Sequence, residues 1–409
     1  MMTNRNSQER VLIFGVHTDA YTDHLFETLM DEMEELTQTA GGEVVAVVTQ
    51  RLHNLNAHTA VGSGKLKEIA NIVDFEEIDL VITMNELKPS MNRQLEEVLE
   101  VRVIDRVQLI LDIFALRAKS REGQLQVELA QNEYLLPRLH GQGLAMSRLG
   151  GGIGTRGPGE TQLETDRRHI RNQITRSRRE LAALDAHRER TRSRRQMGRD
   201  FNIGLVGYTN SGKSTLLNAL TGADSYVQDQ LFATLDPLTR QLSIHGHDCF
   251  TLTDTVGFIE ELPTELIEAF KSTLEEMRDM TLILHVVDSS SPSRELHEET
   301  VIALLKDLEV DHLPLLTVYN KKDLLDRSFE GTLYPNVLIS AYEADDLEKL
   351  KDRIWEIITE NAKYYRKEID PMDAVDLAWY RQNTLVERLD FDEEKNLYVI
   401  EGYQKKYED

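Results

Sequence analysis

The chain has 409 residues, 40% of them hydrophobic and 29% charged, a formal net charge of -24 and a single cysteine, Cys249. That length exceeds one compact core and implies two to four domains of roughly 100 to 200 residues, and the composition excludes both a disordered chain and a membrane protein. One cysteine excludes an internal disulfide, and the apolar run near the start, residues 11–16, is far shorter than the roughly 20 residues of a bilayer span. The expected setting is the cytoplasm, without stable membrane insertion. Acidity on this scale argues against a nucleic-acid partner, but it is unevenly spread. Residues 117–199 hold 18 Lys and Arg against 9 Asp and Glu, a local +9 that leaves -33 to the rest.

Short β-branched runs at residues 11–16, 44–49, 80–84 and 101–104 alternate with amphipathic stretches, which predicts a small α/β domain with a parallel sheet over 1–106. A helical pattern follows from 107 to 139, with Leu125, Leu129, Asn132, Leu136 and Leu139 spaced as in a coiled-coil seam. Eight glycines and Pro158 between 141 and 160 interrupt it as a loop. From Thr161 a second helix of about 35 residues, roughly 50 Å long, carries Ile170, Ile174, Ser177, Leu181 and Leu184 at the same spacing. Two seamed helices joined by one loop predict an antiparallel hairpin over 107–199. Residues 200–362 repeat strand and helix patterns, with strands at 201–206, 251–253, 282–287, 314–319 and 337–339, and read as a second α/β domain with a mostly parallel sheet flanked by helices. Residues 363–409 form a short α+β tail, with a helix near 374–389 and a strand at 397–400.

The strand at 201–206 runs into Gly207-Tyr208-Thr209-Asn210-Ser211-Gly212-Lys213-Ser214 and then into an apolar helix from Thr215, the setting a phosphate-binding loop requires. Loop amides surround the phosphates, Lys213 neutralises the β and γ oxygens, and the Ser214 hydroxyl is a Mg²⁺ ligand. Asp254-Thr255-Val256-Gly257 follows a strand, so that Asp254 can hold the metal's water shell and the Gly257 amide can approach the γ phosphate. Asn320-Lys321-Lys322-Asp323 resembles the guanine-specificity motif of P-loop GTPases, Asp323 accepting from the N1 and N2 donors of the base. Ser340-Ala341-Tyr342 resembles the final base-contact loop of that family, with Tyr where Lys is commoner. Phe232-Ala233-Thr234-Leu235-Asp236 resembles a first switch, which makes Thr234 the candidate γ-phosphate and Mg²⁺ sensor. GTP and GDP are the expected nucleotides. Phe258 stands where Ras-like enzymes place the Gln that orients the attacking water, and a phenyl ring cannot do so, which predicts slow intrinsic hydrolysis. Asn210 resembles the loop asparagine of GTPases that bind K⁺.

Residues 167–199 contain twelve arginines, no lysine and three acids, a composition suited to phosphate and structured RNA. A balanced charge would be expected of a merely solvated helix face. Arg102-Val-Ile-Asp-Arg106, Ser120-Arg-Glu-Gly123, Leu135-Leu-Pro-Arg-Leu139 and the string from Gly150 to Thr161, followed by Gln162-Leu-Glu-Thr-Asp-Arg-Arg168, resemble the HflX family of GTPases over residues 10–360. The resemblance implies a partner in the large ribosomal subunit and its rRNA, reached through residues 117–199, a monomer off the ribosome, no DNA, and dissociation of stalled or idle ribosomes under stress. Two other readings remain: a ribosome-assembly or RNA-modification GTPase, and a signalling GTPase whose basic arm binds a protein or an acidic membrane surface. Gly62-Ser-Gly-Lys65 lacks the first glycine and the Ser/Thr of a phosphate loop and reads as a turn into a helix. His245, His247 and Cys249 alternate along a strand pattern but lack a fourth zinc ligand.

Overall fold

The computed structural model describes residues 8–139, 158–196, 201–222, 231–232, 237–255, 257–260, 276–325 and 328–405. Among the described residues two compact units are distinguished, one up to Leu184 and one from Asp185 onward.

The first unit opens with a four-stranded parallel sheet in the order β2-β1-β3-β4, made of β1 (Arg10–His17), β2 (Glu43–Arg51), β3 (Leu80–Thr83) and β4 (Arg102–Asp105). Crossovers run through α1 (Asp23–Thr39), α2 (Ser63–Phe75) and α3 (Pro89–Leu99). The unbroken apolar run of β1 is buried along its whole length after Arg10, as expected of a parallel strand covered on both faces. In α1, Phe26, Leu29, Met30, Met33 and Leu36 recur at helical spacing and are buried, and the Thr22 hydroxyl caps the helix by accepting from Leu25 N at 3.2 Å.

Where the sequence predicts one helix over 107–139, the structure has two, α4 (Arg106–Arg117) and α5 (Arg121–Arg138). Ala118 is extended, and the Ser120 hydroxyl starts α5 afresh by accepting from Gly123 N at 2.9 Å. No glycine or proline marks this break, so hydrophobic spacing runs straight through it. The partner helix α6 (Pro158–Gln196) has 39 residues and is about 58 Å long at 1.5 Å per residue. It begins at Pro158, three residues before the expected helix start at Thr161, because proline suits the first helical turn. The predicted seam forms: Leu125 and Leu129 pack with Ile174 and Leu181, flanked by Leu136, Ile170 and Leu184. Arg121–Glu180 and Arg178–Glu133, both at 2.6 Å, bracket it in antiparallel register. The glycine-rich stretch 141–157 lies outside the described residues.

Asp105, at the end of β4, roots the hairpin in the sheet domain. Its carboxylate, 1% exposed, accepts from Gln108 N (3.0 Å), Leu87 N (3.1 Å), Tyr134 Oη (2.5 Å) and Arg138 Nη2 (3.2 Å).

The second unit holds a six-stranded sheet in the order β10-β9-β8-β5-β7-β6. Its strands are β5 (Phe201–Val206), β6 (Leu238–Ile244), β7 (His247–Asp254), β8 (Leu282–Asp288), β9 (Leu315–Asn320) and β10 (Asn336–Leu338), with helices α7 (Lys213–Thr221), α8 (Arg294–Asp307) and α9 (Ala344–Asn361). Only β6 runs antiparallel to its neighbour. This strand was not expected, since four of its seven residues are polar and all four are exposed or half-exposed. His245 sits in the β6–β7 turn at φ +50°, so the expected alternation with His247 and Cys249 along one strand does not occur.

The tail is a three-stranded antiparallel sheet, β11-β13-β12, with β11 (Lys363–Ile369), β12 (Leu385–Asp392), β13 (Leu397–Gln404) and one helix, α10 (Ala374–Asn383). The helix expected to reach residue 389 stops at Asn383, because residues 385–392 pair with β13 along its length and Leu385 joins the core beneath the six-stranded sheet. Among the described residues no helix is long and apolar enough to cross a membrane.

Candidate nucleotide-binding site

Three loops meet at the carboxyl ends of β5, β7 and β9, the end of a parallel sheet where ligands bind. The first leaves β5 at Gly207, whose φ is +156°. A Cβ there would lie 2.2 Å from the Val286 carbonyl oxygen of β8, so no other residue fits. Gly212, at φ +94°, ends the loop, and a Cβ on it would lie 2.3 Å from Asn320 Nδ2. Both glycines are therefore required by close approach as well as by backbone angle.

Lys213 opens α7. Its side chain, 6% exposed, folds back so that Nζ donates to the carbonyls of Gly207 (2.9 Å) and Tyr208 (2.7 Å). Burial lowers its pKa to about 8, opposed by the charge of Asp254. Ser214 Oγ donates to Asp254 Oδ2 at 2.6 Å, and Asp254 is fully buried at the end of β7. A hydroxyl and a carboxylate in contact are the hard oxygen donors that Mg²⁺ takes, so the residues present fit that ion. Thr255 Oγ1 donates to the Leu205 carbonyl at 2.6 Å and ties this strand end to β5.

The segment after Asp254 is laced to the phosphate loop. Thr209 N donates to the Phe258 carbonyl (2.7 Å), and Phe258 N donates to the Gly207 carbonyl (3.1 Å). The Phe258 ring is 2% exposed. A Cβ on Gly257 would lie 3.0 Å from Thr209 Cγ2 and 3.2 Å from Lys213 Nζ. Tyr208 stacks on His297 of α8 with ring centroids 3.8 Å apart, and its hydroxyl accepts from Glu260 N at 2.8 Å.

At the third loop Asn320, 2% exposed, does not face outward. Its Nδ2 donates to the Ser211 carbonyl at 3.1 Å, and its Oδ1 accepts from Ala341 N at 3.1 Å. Asp323 accepts from Ser340 Oγ at 2.6 Å, which fixes one oxygen and orients the carboxylate. Lys321, at φ +63°, pairs with Asp288 at 2.7 Å; Lys322 pairs with Asp346 at 2.9 Å. Asn210, at φ +58°, and Tyr342, 80% exposed, face solvent.

The structure thus brings Lys213, Ser214, Asp254 and Gly257 together beside Gly207 and Thr209 of the phosphate loop, and Asn320, Asp323, Ser340 and Ala341 together beside its Ser211. Ala233, Thr234, Leu235, Asp236 and Val256 lie outside the described residues. Sequence reasoning missed Asp346, which is 1% exposed and accepts from Ser340 N at 3.0 Å. Its lysine partners and this amide hold its carboxyl well below the usual carboxylate range against the cost of burial. In the sequence it looks like any acid in the first turn of a helix.

A parallel sheet with a lysine-bearing phosphate loop, a strand-end aspartate and an asparagine-anchored aspartate loop defines a P-loop GTPase, an enzyme that hydrolyses GTP. Three family models match in succession: "GTP-binding GTPase N-terminal" over residues 27–115, "GTP-binding GTPase Middle Region" over 117–195 and "50S ribosome-binding GTPase" over 202–321. The chain belongs to the HflX family of GTPases, being 50% identical over 396 residues to GTPase HflX of Alkalihalophilus pseudofirmus, a match spanning 97% of this chain and 93% of the relative. GTPase HflX of Escherichia coli is 45% identical over 297 residues, 73% of this chain and 70% of the relative. A crystal structure of SsGBP in complex with GDP superposes with a TM-score of 0.50 at 25% identity, covering 86% of this chain and 99% of that one.

Proposed function

We propose that this GTPase binds the large ribosomal subunit through the basic hairpin of residues 117–199 and, in the GTP state, splits stalled or idle ribosomes in the cytoplasm under stress. The observation that carries this reading is the hairpin itself. Its apolar seam is closed, so Arg168, Arg171 and Arg179 stand exposed on α6, as forks available to RNA phosphates. The match of residues 202–321 to a model described as a 50S ribosome-binding GTPase agrees with it. Residues 1–106, 107–199, 200–362 and 363–409 serve as sheet domain, reaching arm, GTPase domain and tail.

In the nucleotide site, loop amides and the buried Lys213 amine hold the β and γ phosphates, exchanging the Gly207 and Tyr208 carbonyls for phosphate oxygens. Ser214 and Asp254 hold Mg²⁺, joined by Thr234 of the first switch; the ion supplies charge neutralisation at the phosphates when bound. Asp323 reads the guanine N1 and N2 donors, and the Gly257 amide senses the γ phosphate. Hydrolysis by the isolated protein is slow, because Phe258 is packed inward and its main chain is committed to the phosphate loop. The ribosome accelerates it.

Sedimentation with mature ribosomes under GTP, GDP and a non-hydrolysable analogue tests the reading. The expected result is association with the large subunit in the GTP and analogue arms only, lost on deleting residues 150–159. Association with immature particles alone would transfer the function to assembly.

A further inference from the structure

Phe258 leaves the hydrolytic reaction without a group to orient its water. Its ring is buried, and both its amide and its carbonyl are hydrogen-bonded to the phosphate loop. Any replacement has to lie beside Gly257, the residue whose amide meets the γ phosphate in the nucleotide reading given above, on which this inference rests. Among the described residues the side chains nearest a Cβ on that glycine are Thr209, whose methyl Cγ2 lies at 3.0 Å with the hydroxyl on the same carbon, and Lys213, whose Nζ lies at 3.2 Å and is committed to the phosphates.

Thr209 is 7% exposed, and among the described residues its Oγ1 has no hydrogen-bond partner. The neighbouring hydroxyls of Ser214 and Thr255 each make one at 2.6 Å. Leaving a buried hydroxyl unpaired forfeits its hydration with nothing in return, so a threonine here is unfavourable unless a ligand completes it. Ser211 Oγ also lacks a partner, but it faces Gly207, 3.0 Å from the Cβ position of that residue, and not Gly257. The Thr209 main chain is held by its amide bond to Phe258, so the side chain is presented on a fixed backbone.

We propose that Thr209 is a catalytic residue whose hydroxyl accepts a hydrogen bond from the attacking water and orients it toward the γ phosphorus. The hydroxyl is neither acid nor base. The bond from the water oxygen to phosphorus forms as the bond from phosphorus to the β–γ bridging oxygen breaks. GDP leaves with that oxygen, and the water's proton ends on the released phosphate.

The test uses the full-length chain with Thr209→Val, which keeps shape and removes the hydroxyl, and Thr209→Ser, which restores it. Affinities for GDP and a non-hydrolysable GTP analogue are measured beside single-turnover hydrolysis, with and without ribosomes. Thr209→Val should bind both nucleotides within about twofold of the parent and hydrolyse at least about tenfold more slowly in both settings, a loss of about 1.4 kcal/mol of transition-state stabilisation. Thr209→Ser should stay within about threefold of the parent on the same scale. Parental hydrolysis by Thr209→Val, in either setting, overturns the proposal. So does a loss of affinity for both nucleotides matching the loss of rate, since the hydroxyl would then serve binding. Failure of the parent itself to bind GTP would instead overturn the nucleotide reading.

Discussion

Asn320 Nδ2 donates to the main-chain carbonyl of Ser211 at 3.1 Å, and so ties the base-reading loop to the phosphate loop. Its Oδ1 accepts from Ala341 N, so one buried amide sets the spacing of three loops. Asn320→Ala leaves that carbonyl and that amide unpaired at a buried site. The expected cost is about 2–4 kcal/mol of stability, at roughly 1–3 for each stranded group less relaxation. Weaker binding of GTP and GDP alike should accompany it. Chemical unfolding with and without GDP reads both; unchanged nucleotide affinity would mean that the loops keep their spacing without the tie.

Asp323 has one oxygen fixed by the Ser340 hydroxyl at 2.6 Å. In Asp323→Asn the same donor selects the amide orientation, keeping Oδ1 on Ser340 and turning Nδ2 outward. A donor then faces the guanine donors, and GTP should bind about 2–3 kcal/mol more weakly, the worth of hydrogen bonds to a charged group. Xanthine carries a carbonyl where guanine carries its 2-amino group, so xanthosine triphosphate should gain. Competition between the two nucleotides for parent and variant measures the exchange, and equal losses for both would remove Asp323 from base recognition.

The Lys213 amine gives two pH dependences of opposite sign. Burial lowers its pKa to about 8 from 10.5, and phosphate binding requires the proton. GTP affinity should be flat below pH 8 and fall above it, by up to about tenfold per pH unit for one proton. Stability without nucleotide should move the other way. Between pH 8 and 10.5 the unfolded chain holds a proton that the folded chain has released, so this lysine makes folding more favourable as pH rises. Titrations of affinity and of the urea midpoint over pH 7–10 separate the two effects.

His285 of β8 is 1% exposed, and burial, helped by the nearby Lys213 charge, pushes its pKa down to about 3. Above pH 6.5 both states are neutral there. Below it the unfolded chain gains a proton that the folded chain excludes, so stability is lost as pH falls from 6.5 toward 3, by up to about 1.4 kcal/mol per pH unit. The midpoint difference between pH 7 and pH 5 should shrink in His285→Phe. An unchanged difference would assign the acid sensitivity to carboxylates.

Legibility in the sequence followed the reach of each signal. The phosphate loop, Asp254 and the 320–323 tetrapeptide are local strings at strand ends, and the hairpin seam is a periodic pattern, so each could be read in place. The break at Ser120 carries no glycine or proline, and the polar strand β6 earns its place only by pairing with β7. Neither leaves a local trace. The roles of Asn320, Asp346 and Tyr208 depend on partners 109, 6 and 52 residues away. The motif around Asn320 invites a base contact, whereas its side chain is spent on joining loops.

Tyr134 and Asp105 make the last such long-range pair, with consequences for the arm. The Tyr134 hydroxyl donates to Asp105 Oδ1 at 2.5 Å, and Arg138 lies over the same ring with its guanidinium carbon 3.4 Å from the centroid. Tyr134 and Arg138 both occupy the last turns of α5, so this contact fixes the end of that helix. Tyr134→Phe keeps the ring and the cation contact and removes one donor from a buried carboxylate. The expected loss is about 1.5–3 kcal/mol of stability in the first unit, as for a hydrogen bond to a charged group. Because the nucleotide residues lie in the second unit, GTP affinity and basal hydrolysis should be unchanged, while the stimulation by ribosomes proposed above should fall through a less well-held arm. Hydrogen exchange over residues 121–138 and hydrolysis with and without ribosomes provide the check. Full stimulation despite faster exchange in α5 would show that the arm works without a fixed root.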